Sequence, residues 1–252
     1  MSQRTLENRA ALVTGASKGL GKCMAIALAK AGAKVALASR DLKLLNETAA
    51  EIRGAGGTAE AFQVDVTDEQ QVVNLKQAVI EKFGTLHILV NNAGINIRKP
   101  LVDYSLEEWR KVMDTNLTSA FLMCHYFVPH MKGHGYGRIL NLTSIMSHVA
   151  LVGRVAYCSS KTGLLGFTRA LALELAPDNI TVNGISPGPH ATEMNQVVIQ
   201  NPEANREFIS KIPQGRWGRV EDIGALALFL CSEDAAFITG TDILIDGGWC
   251  AQ

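Results

Sequence analysis

The sequence lacks the features that would direct it to several classes of protein. Lys plus Arg and Asp plus Glu each total 24, so the formal net charge is zero, and neither a basic block nor an acidic tail is present. This balance argues against nucleic acid as a main partner. No apolar run reaches the roughly 18 residues of a membrane span. The polar residues 1–8 also lack the apolar core of a signal peptide.

Cysteine is scarce as well, and its distribution excludes two kinds of framework. The chain has 5 cysteines, an odd number, at the scattered positions Cys23, Cys124, Cys158, Cys231 and Cys250. Neither a disulfide pattern nor a metal-ligand spacing results. We therefore expect a cytoplasmic protein of a reducing environment, with no membrane contact and no metal site.

What the sequence does contain is a regular alternation of short apolar runs with longer amphipathic ones. Hydrophobic residues make up 47% of the chain, enough for a sizeable core. Strands are predicted at residues 11–14, 34–39, 59–66, 88–91, 138–144, 180–185 and 242–245. Helices are predicted at residues 20–31, 42–53, 69–83, 106–131, 156–175 and 220–230. The alternation predicts one α/β domain over residues 1–252, with a doubly wound parallel sheet of about seven strands and helices on both faces.

One long stretch has no clear periodicity. Residues 187–213 lie between the last predicted helices and strands, without a regular apolar pattern. A segment of this length is often either a cover over a binding site or an inert surface excursion. We expect it to be a substrate-binding lid.

A glycine-rich segment follows the first predicted strand. Gly15, Gly19 and Gly21 stand between that strand and the next helix. Glycines there let the backbone turn tightly and approach a phosphate, while the helix N-terminus supplies N–H groups and positive potential. The spacing differs from the Gly-x-Gly-x-x-Gly dinucleotide fingerprint. The placement on a strand, a turn and a helix nevertheless favours a nucleotide site over a simple tight turn.

The end of the second predicted strand indicates which nucleotide binds. An acidic residue at this position takes the ribose hydroxyls of NAD, whereas an arginine takes the 2′-phosphate of NADP. Here Ser39 is followed by Arg40, and Lys18 of the glycine segment could add a second positive charge. Asp41 could bind ribose, but capping the next helix is its more ordinary role. We therefore predict NADP(H) as the preferred coenzyme, with NAD(H) possible.

Other polar residues follow the remaining strands. Asp65 could accept a hydrogen bond from an adenine amino group or cap the following helix, Asn91 to Gly94 end the fourth strand, and Pro187-Gly188 follow the sixth. In an open parallel sheet, ligands bind beyond the carboxyl ends of the strands. The concentration of such residues at one rim predicts the binding site there.

Tyr157 and Lys161 carry the predicted chemistry. They are four apart in a segment with helical periodicity, so their side chains should be neighbours. A free tyrosine has a pKa of about 10, and a nearby cation lowers it, which makes the phenol a usable acid or base. Ser144, at the end of the preceding strand, could hydrogen-bond a substrate oxygen.

With these motifs in place, the sequence resembles the short-chain dehydrogenase/reductase family. The resemblance extends over nearly the whole chain, at Thr14 to Gly21, Asn91 to Gly94, Asn116, Ser144, Tyr157, Lys161, Pro187-Gly188, Thr192 and Asp246 to Gly248. It implies a Rossmann-type fold and a catalytic set of Asn116, Ser144, Tyr157 and Lys161. In the family, the tyrosine exchanges a proton with the substrate oxygen while hydride passes between nicotinamide and substrate carbon, without a metal.

The resemblance also implies a coenzyme site and an assembly. His190 stands where an aliphatic residue often meets the nicotinamide amide in the family. The family is usually dimeric or tetrameric, so we expect a homotetramer. The predicted coenzyme-binding residues are Gly15, Ser17, Lys18, Gly19, Leu20, Gly21, Ser39, Arg40, Asp65, Val66, Asn92, Ala93, Gly94, Tyr157, Lys161, Pro187, Gly188, His190 and Thr192.

The substrate is indicated more loosely. Residues 92–100 and 216–218 are most similar to gluconate 5-dehydrogenases and related sugar-acid enzymes. A polyol acid needs a cation and several hydrogen-bond partners, which Arg154, His148, Asn96 and Ser144 could supply. One alternative is a 3-oxoacyl-(acyl-carrier-protein) reductase, although too few basic residues such as Arg169 are present to show a docking patch for an acidic carrier. Another alternative is a nucleotide-binding regulatory protein without turnover.

Overall fold

The computed structural model describes residues 5–252, apart from the side chain of Met194. Residues 1–4, which belong to the segment expected to lack a signal peptide, lie outside the described residues. Within residues 5–252, one parallel sheet has the strand order β3-β2-β1-β4-β5-β6-β7. Its strands are β1 (Ala10–Thr14), β2 (Lys34–Ser39), β3 (Thr58–Gln63), β4 (Ile88–Asn91), β5 (Gly137–Leu142), β6 (Ile180–Pro187) and β7 (Asp242–Ile245). The structure confirms the predicted fold class.

Helices cover both faces of the sheet. The longer ones are α1 (Gly19–Lys30), α2 (Leu42–Gly54), α3 (Glu69–Phe83), α4 (Leu106–Met113), α5 (Ser119–Phe127), α6 (Val155–Leu175) and α9 (Val220–Cys231). Two short helices, α7 (Gln196–Ile199) and α8 (Pro202–Ile209), precede α9. One apolar core packs α1, α2 and α9 against the sheet, and a second packs α3, α5 and α6 against its other face.

The central strands explain why the short apolar runs of the sequence form a parallel sheet. Every residue of β1, β4 and β5 is buried. Strands covered on both faces are apolar throughout rather than alternating. The strand order reverses between β1 and β4, and this reversal opens a crevice at the carboxyl ends of the strands.

Several element boundaries differ from the prediction in ways that matter for the site. The helix expected over residues 106–131 is interrupted by a π-helical turn at Asp114–Thr118, which contains the buried Asn116. β5 ends at Leu142, so Ser144 caps a short 3₁₀ turn instead of ending a strand. β3 ends at Gln63, and Asp65 therefore lies in the following turn. Residues 187–213, expected to be irregular, contain α7 and α8.

The described residues also bear on the expected absences. No helix among residues 5–252 is long and apolar enough to cross a membrane. In the same part of the chain, no group of three or more His, Cys, Asp or Glu side chains is arranged to hold a metal ion.

His87, at the amino end of β4, predicts how stability depends on pH. Its Nδ1 accepts a hydrogen bond from the Ala10 main-chain N–H at 3.0 Å. Burial, followed by the charges of Arg9 and His134, lowers the pKa of His87 from 6.5 to about 4. Between these values the unfolded chain binds more protons than the folded one, so the free energy of unfolding should fall as the pH drops from about 6.5 toward 4.

Urea unfolding of the wild type and of His87→Asn over this pH range measures the effect. The variant should lose part of the pH dependence, because asparagine can still accept from Ala10 N–H but does not titrate. His125→Asn, which changes an exposed histidine of α5, is the control. Identical pH dependence in the wild type and His87→Asn would contradict the prediction.

Candidate active site

A cleft of about 1300 Å³ lies at the carboxyl ends of the strands. Single-ligand sites commonly have volumes of about 300–1,000 Å³, so this cleft has room for a dinucleotide and a second molecule. It brings together the glycine segment after β1, the ends of β2 and β4, and the segments after β5 and β6. The predicted coenzyme residues that line it are Gly15, Ser17, Lys18, Gly19, Leu20, Gly21, Ser39, Arg40, Asp65, Val66, Asn92, Ala93, Gly94, Tyr157, Lys161, Pro187, Gly188, His190 and Thr192.

The glycine segment is built for close approach of a phosphate. Gly15 adopts φ +64°, in the left-handed region that favours glycine. A Cβ on Gly21 would lie 2.3 Å from the Gly15 carbonyl oxygen, so the turn can close only with glycine there. The Thr14 hydroxyl accepts from the main-chain N–H groups of Asn92 and Ala93, at 2.9 and 3.1 Å. These contacts join the ends of β1 and β4 and leave the N-terminus of α1 facing the cleft, which fits a pyrophosphate.

The end of β2 presents a cation to the same cleft. Arg40 is exposed and lies 3.9 Å from the Asp65 carboxylate, a pair too open to water to hold either side chain strongly. Asp65 also accepts from the Thr67 N–H and hydroxyl, at 3.0 and 2.7 Å. Asp65 does not cap α3, because Asp68 does so. Asp41 caps α2 by accepting from the Leu44 N–H at 3.0 Å, which is the more ordinary of the two roles considered for it.

Asn116 is held by the main chain beside it. Its Oδ1 accepts from the Ile95 N–H at 2.7 Å, and its Nδ2 donates to the Ile95 carbonyl at 2.9 Å and to Ser160 Oγ at 3.0 Å. A Cβ on Gly94 would lie 3.3 Å from Asn116 Oδ1 and 3.5 Å from Lys161 Nζ, so only a small residue leaves both groups undisturbed. The amide therefore joins the π-helical turn, the segment after β4 and α6 next to Lys161.

Tyr157 and Lys161 lie side by side on α6, as their spacing predicts. Lys161 Nζ lies 5.8 Å from the centre of the Tyr157 ring and donates to the Leu142 carbonyl at 2.5 Å. The Lys161 side chain is buried, and burial lowers its pKa to about 8, with the charge of Asp242 acting in the opposite direction. A substantial fraction of the Lys161 side chains is therefore uncharged at mildly alkaline pH.

The pKa of Tyr157 departs from the prediction made from sequence. Burial raises it above its ordinary value of 10, while the hydrogen bond with Ser144 and the positive charges of Arg154 and Arg98 act to lower it. The expected lowering of this pKa by Lys161 is therefore wrong, because the net shift is upward and Lys161 is not among its causes. The physical reason is that the cleft wall desolvates the phenolate more than the surrounding charges stabilise it.

The predicted substrate residues do not all reach the cleft. Asn96, Ser144 and Arg154 line it, and the buried Oδ1 of Asn96 has no hydrogen-bond partner within the described chain. His148 does not line the cleft, because its Nε2 lies 2.7 Å from the Asp242 carboxylate. The prediction that His148 contacts substrate is not supported by this geometry.

The environment of His190, one of the predicted coenzyme residues, favours an uncharged ring. Its side chain is buried, Nδ1 lies 3.0 Å from the Gly188 carbonyl oxygen, and burial lowers its pKa. The ring is therefore neutral near pH 7, and it can meet an uncharged amide as the aliphatic residue more frequent in the family would.

Two residues next to this site were not predicted from the sequence. Arg98 lines the cleft near Tyr157, and its signal was present as a cation just after the Asn-Ala-Gly turn. Asp242 lies under the site, and no sequence signal distinguished it from a residue that starts a strand. Its position depends on which strands are neighbours in the sheet.

The whole chain can be compared with known proteins. The family profile described as Enoyl-(Acyl carrier protein) reductase matches residues 15–250. The gluconate 5-dehydrogenase of Gluconobacter oxydans (strain 621H) is 34% identical over 244 residues, which is 97% of this chain and 95% of that protein. The 3-oxoacyl-(acyl-carrier-protein) reductase of Thermotoga maritima is 36% identical over 244 residues, 96% of this chain and 98% of that protein.

Solved structures with similar sequence identity to this chain have the same fold. A protein described as an NAD(P)-dependent gluconate 5-dehydrogenase from Beutenbergia cavernae, with NADP bound at low occupancy, is 37% identical with a TM-score of 0.92, and the match covers 98% of each chain. These similarities extend over nearly the full length and include the segments that form the cleft. The chain therefore belongs to the short-chain dehydrogenase/reductase family, whose members are oxidoreductases acting on CH–OH groups.

Proposed function

We propose that the protein is an NADP(H)-dependent dehydrogenase that interconverts a secondary alcohol and a ketone on a sugar acid. The supporting observation is a pair of unneutralised arginines beside Tyr157. Within residues 5–252, no carboxylate lies within 4 Å of the guanidinium of Arg98 or Arg154. Burial and the charge of Arg98 lower the pKa of Arg154, as expected of a cation without a partner.

Such a pair favours an anionic substrate. Arg154 is partly buried and Arg98, which is exposed, adds a second positive charge beside it. Holding a partly desolvated cation next to a like charge without a counter-ion is costly, and a bound carboxylate removes much of that cost through charge-assisted hydrogen bonds. Asn96, whose Oδ1 is buried without a partner, can accept from a substrate hydroxyl in the same part of the cleft. A polyhydroxylated acid satisfies both features, and a gluconate 5-dehydrogenase is among the relatives.

The chain's own groups then supply the proton chemistry. The Tyr157 hydroxyl donates a proton to a ketone oxygen or accepts one from an alcohol, and Ser144 hydrogen-bonds the same oxygen. Lys161 lies beside the Tyr157 ring, and Asn116 is hydrogen-bonded to Ser160 of the same helix, so both keep the geometry of that wall of the cleft. When bound, a nicotinamide coenzyme supplies or accepts the hydride.

The choice of coenzyme depends on Arg40. An arginine at the end of β2 can form charge-assisted hydrogen bonds with a 2′-phosphate, each worth about 1.5–3 kcal/mol. We expect Arg40→Asp to lower kcat/KM for NADP by about 10- to 100-fold and to improve use of NAD, because the carboxylate repels phosphate and accepts from ribose hydroxyls. Initial rates with both coenzymes measure the change.

Lys43→Asp is the matched control for this experiment. It reverses the charge of an exposed residue of α2 that does not line the cleft. Unchanged coenzyme preference in Arg40→Asp, or an equal change in Lys43→Asp, would argue against a phosphate contact at Arg40.

Steady-state assays test the substrate class. Oxidation of gluconate and other sugar acids by NADP should exceed reduction of an acetoacetyl thioester by NADPH. The reverse order would favour the 3-oxoacyl-(acyl-carrier-protein) reductase alternative, which a relative of similar identity supports. Tight coenzyme binding without turnover on either substrate class would favour the regulatory alternative.

The proposed assembly is a cytoplasmic homotetramer. Support comes from family membership and from exposed apolar side chains on the long helices, including Phe121 of α5 and Leu173 of α6. Such side chains are often buried where subunits meet. Analytical ultracentrifugation should give four times the monomer mass of 27.1 kDa, and a monomer would refute this assembly.

A further inference from the structure

Asp242, the first residue of β7, places a buried carboxylate beneath the active site. Only 2% of its side chain is exposed. Oδ1 lies 2.6 Å from the Thr143 hydroxyl, and Oδ2 lies 2.7 Å from the Ser186 hydroxyl and 2.7 Å from His148 Nε2. A carboxylate buried this deeply is tolerated only when its oxygens are hydrogen-bonded, which these groups achieve.

The adjacent strand leaves space for this carboxylate. Gly184 of β6 is directly opposite Asp242 in the sheet register. A Cβ at position 184 would lie 2.2 Å from Asp242 Oδ1, closer than any real contact allows. The absence of a side chain at Gly184 is therefore a requirement of the Asp242 position.

Two of the side chains that contact Asp242, Thr143 and His148, flank the segment that carries Ser144. Thr143 precedes Ser144, and its hydroxyl also lies 2.7 Å from the Ile185 carbonyl oxygen and 3.0 Å from Ser186 Oγ. His148 follows the 3₁₀ turn that Ser144 caps. One side chain thus connects the carboxyl ends of β5 and β6 to β7 and fixes both ends of the segment that carries Ser144.

The titratable groups that act on Asp242 belong to two other elements. His148 faces it from the segment after β5, and Lys161 is influenced by it from α6, since the negative charge raises the pKa that burial lowers. β6 contributes the uncharged Ser186 and Gly184. Among the ion pairs of the described residues none joins Asp242 to Lys161, so Asp242 acts on the Lys161 ammonium through space rather than by direct contact.

We propose that Asp242 is a positioning residue for the dehydrogenase reaction: its carboxylate holds the Ser144 segment through Thr143 and His148, and its negative charge acts through space on Lys161. This role rests on the proposed function only for its catalytic consequence. The hydrogen bonds and the charge interaction can be tested without turnover.

Asp242→Asn tests the charge while keeping the shape. We expect about a 10-fold lower kcat, because an amide has one acceptor oxygen instead of two and cannot accept from both the Thr143 and the Ser186 hydroxyls. The alkaline limb of the kcat/KM profile should also move to lower pH by roughly half a unit or more, because Lys161 loses the charge that favours its ammonium form. Coenzyme affinity, measured by isothermal titration calorimetry, should remain within about threefold of the wild type. This affinity also serves as the control for correct folding of the variant.

Gly184→Ala tests the position of the carboxylate without changing the charge of the chain. It should lower kcat as Asp242→Asn does while moving the alkaline limb less. His148→Asn removes one partner at the outer end and should have a smaller effect on kcat than either. Asp178→Asn, which removes a carboxylate paired with Lys132 on the surface at 2.8 Å, is the control for loss of a negative charge and should match the wild type.

A direct titration of Lys161 separates this inference from the proposed function. In lysine-labelled protein followed by NMR, the Lys161 pKa should be lower in Asp242→Asn than in the wild type, whichever substrate is used. Absence of sugar-acid oxidation in the wild type together with this shift would refute the proposed function alone. An unchanged Lys161 pKa and an unchanged pH profile in Asp242→Asn would overturn the role of Asp242.

Discussion

Tyr157→Phe is expected to lower kcat for alcohol oxidation and ketone reduction by about 10²–10⁴, the range typical of general acid–base catalysis. The substitution removes only the hydroxyl that exchanges the proton. It leaves the ring in the cleft wall next to Lys161, whose Nζ lies 5.8 Å from the ring centre. The dissociation constant for NADPH, followed by fluorescence, should therefore change little.

A second tyrosine provides a matched control. Tyr126→Phe also removes one hydroxyl, which bonds Glu69 at 2.6 Å outside the cleft, and should leave kcat unchanged. A Tyr157→Phe variant with more than about a tenth of wild-type kcat would contradict the assigned proton chemistry, because that loss is below the usual contribution of a general acid. Equal losses in the two variants would indicate a general effect on folding.

The second large effect is expected from Arg154. Arg154→Gln should lower kcat/KM for gluconate by about 10- to 100-fold, since a charge-assisted hydrogen bond to a carboxylate is worth about 1.5–3 kcal/mol. Arg98→Gln should act in the same direction. Neutral secondary alcohols should lose much less, because they have no carboxylate for these guanidinium groups to bind.

The arginines should also affect the pH profile. Both positive charges act to lower the pKa of Tyr157, so removing either one should raise that pKa and move the pH dependence of oxidation to higher pH. Arg169→Gln, which changes an exposed arginine on the same helix outside the cleft, is the control. Equal losses for anionic and neutral substrates in Arg154→Gln would contradict a carboxylate contact and indicate a structural role.

The strands were the most predictable part of the fold. Short apolar runs such as Ile88–Asn91 are fully buried between two helical layers, and an unbroken apolar pattern is what such an environment requires. The helix over residues 106–131 was predicted less well. Its apolar periodicity continues through the π-helical turn at Asp114–Thr118, and sequence periodicity does not register one extra residue in a turn.

Side-chain partners were less predictable than the elements that carry them. His148 was expected at the substrate because it is close in sequence to Ser144, but its ring turns to Asp242 on a strand 94 positions later. Asp41 was different, because its capping of α2 is a local interaction that a short stretch of sequence contains. The cap of α3 is Asp68, three residues after the Asp65 that was considered for it, because β3 ends earlier than predicted. Contacts between residues close in the chain, such as the Asp41 cap, were therefore predicted better than contacts between residues far apart, such as His148 with Asp242.

The sequence by itself determined the glycine turn and the pairing of Tyr157 with Lys161, because each depends on residues within one or two turns of chain. It also determined the parallel sheet, because alternating strands and helices require crossover connections between strands that run the same way. Only the tertiary structure decided the sign of the pKa shift of Tyr157, the presence of Arg98 and Arg154 in the same cleft, and the contact of Asp242 with the Ser144 segment. Desolvation and charge act through space, and the distances that govern them exist only after β5, β6, β7 and α6 have packed together.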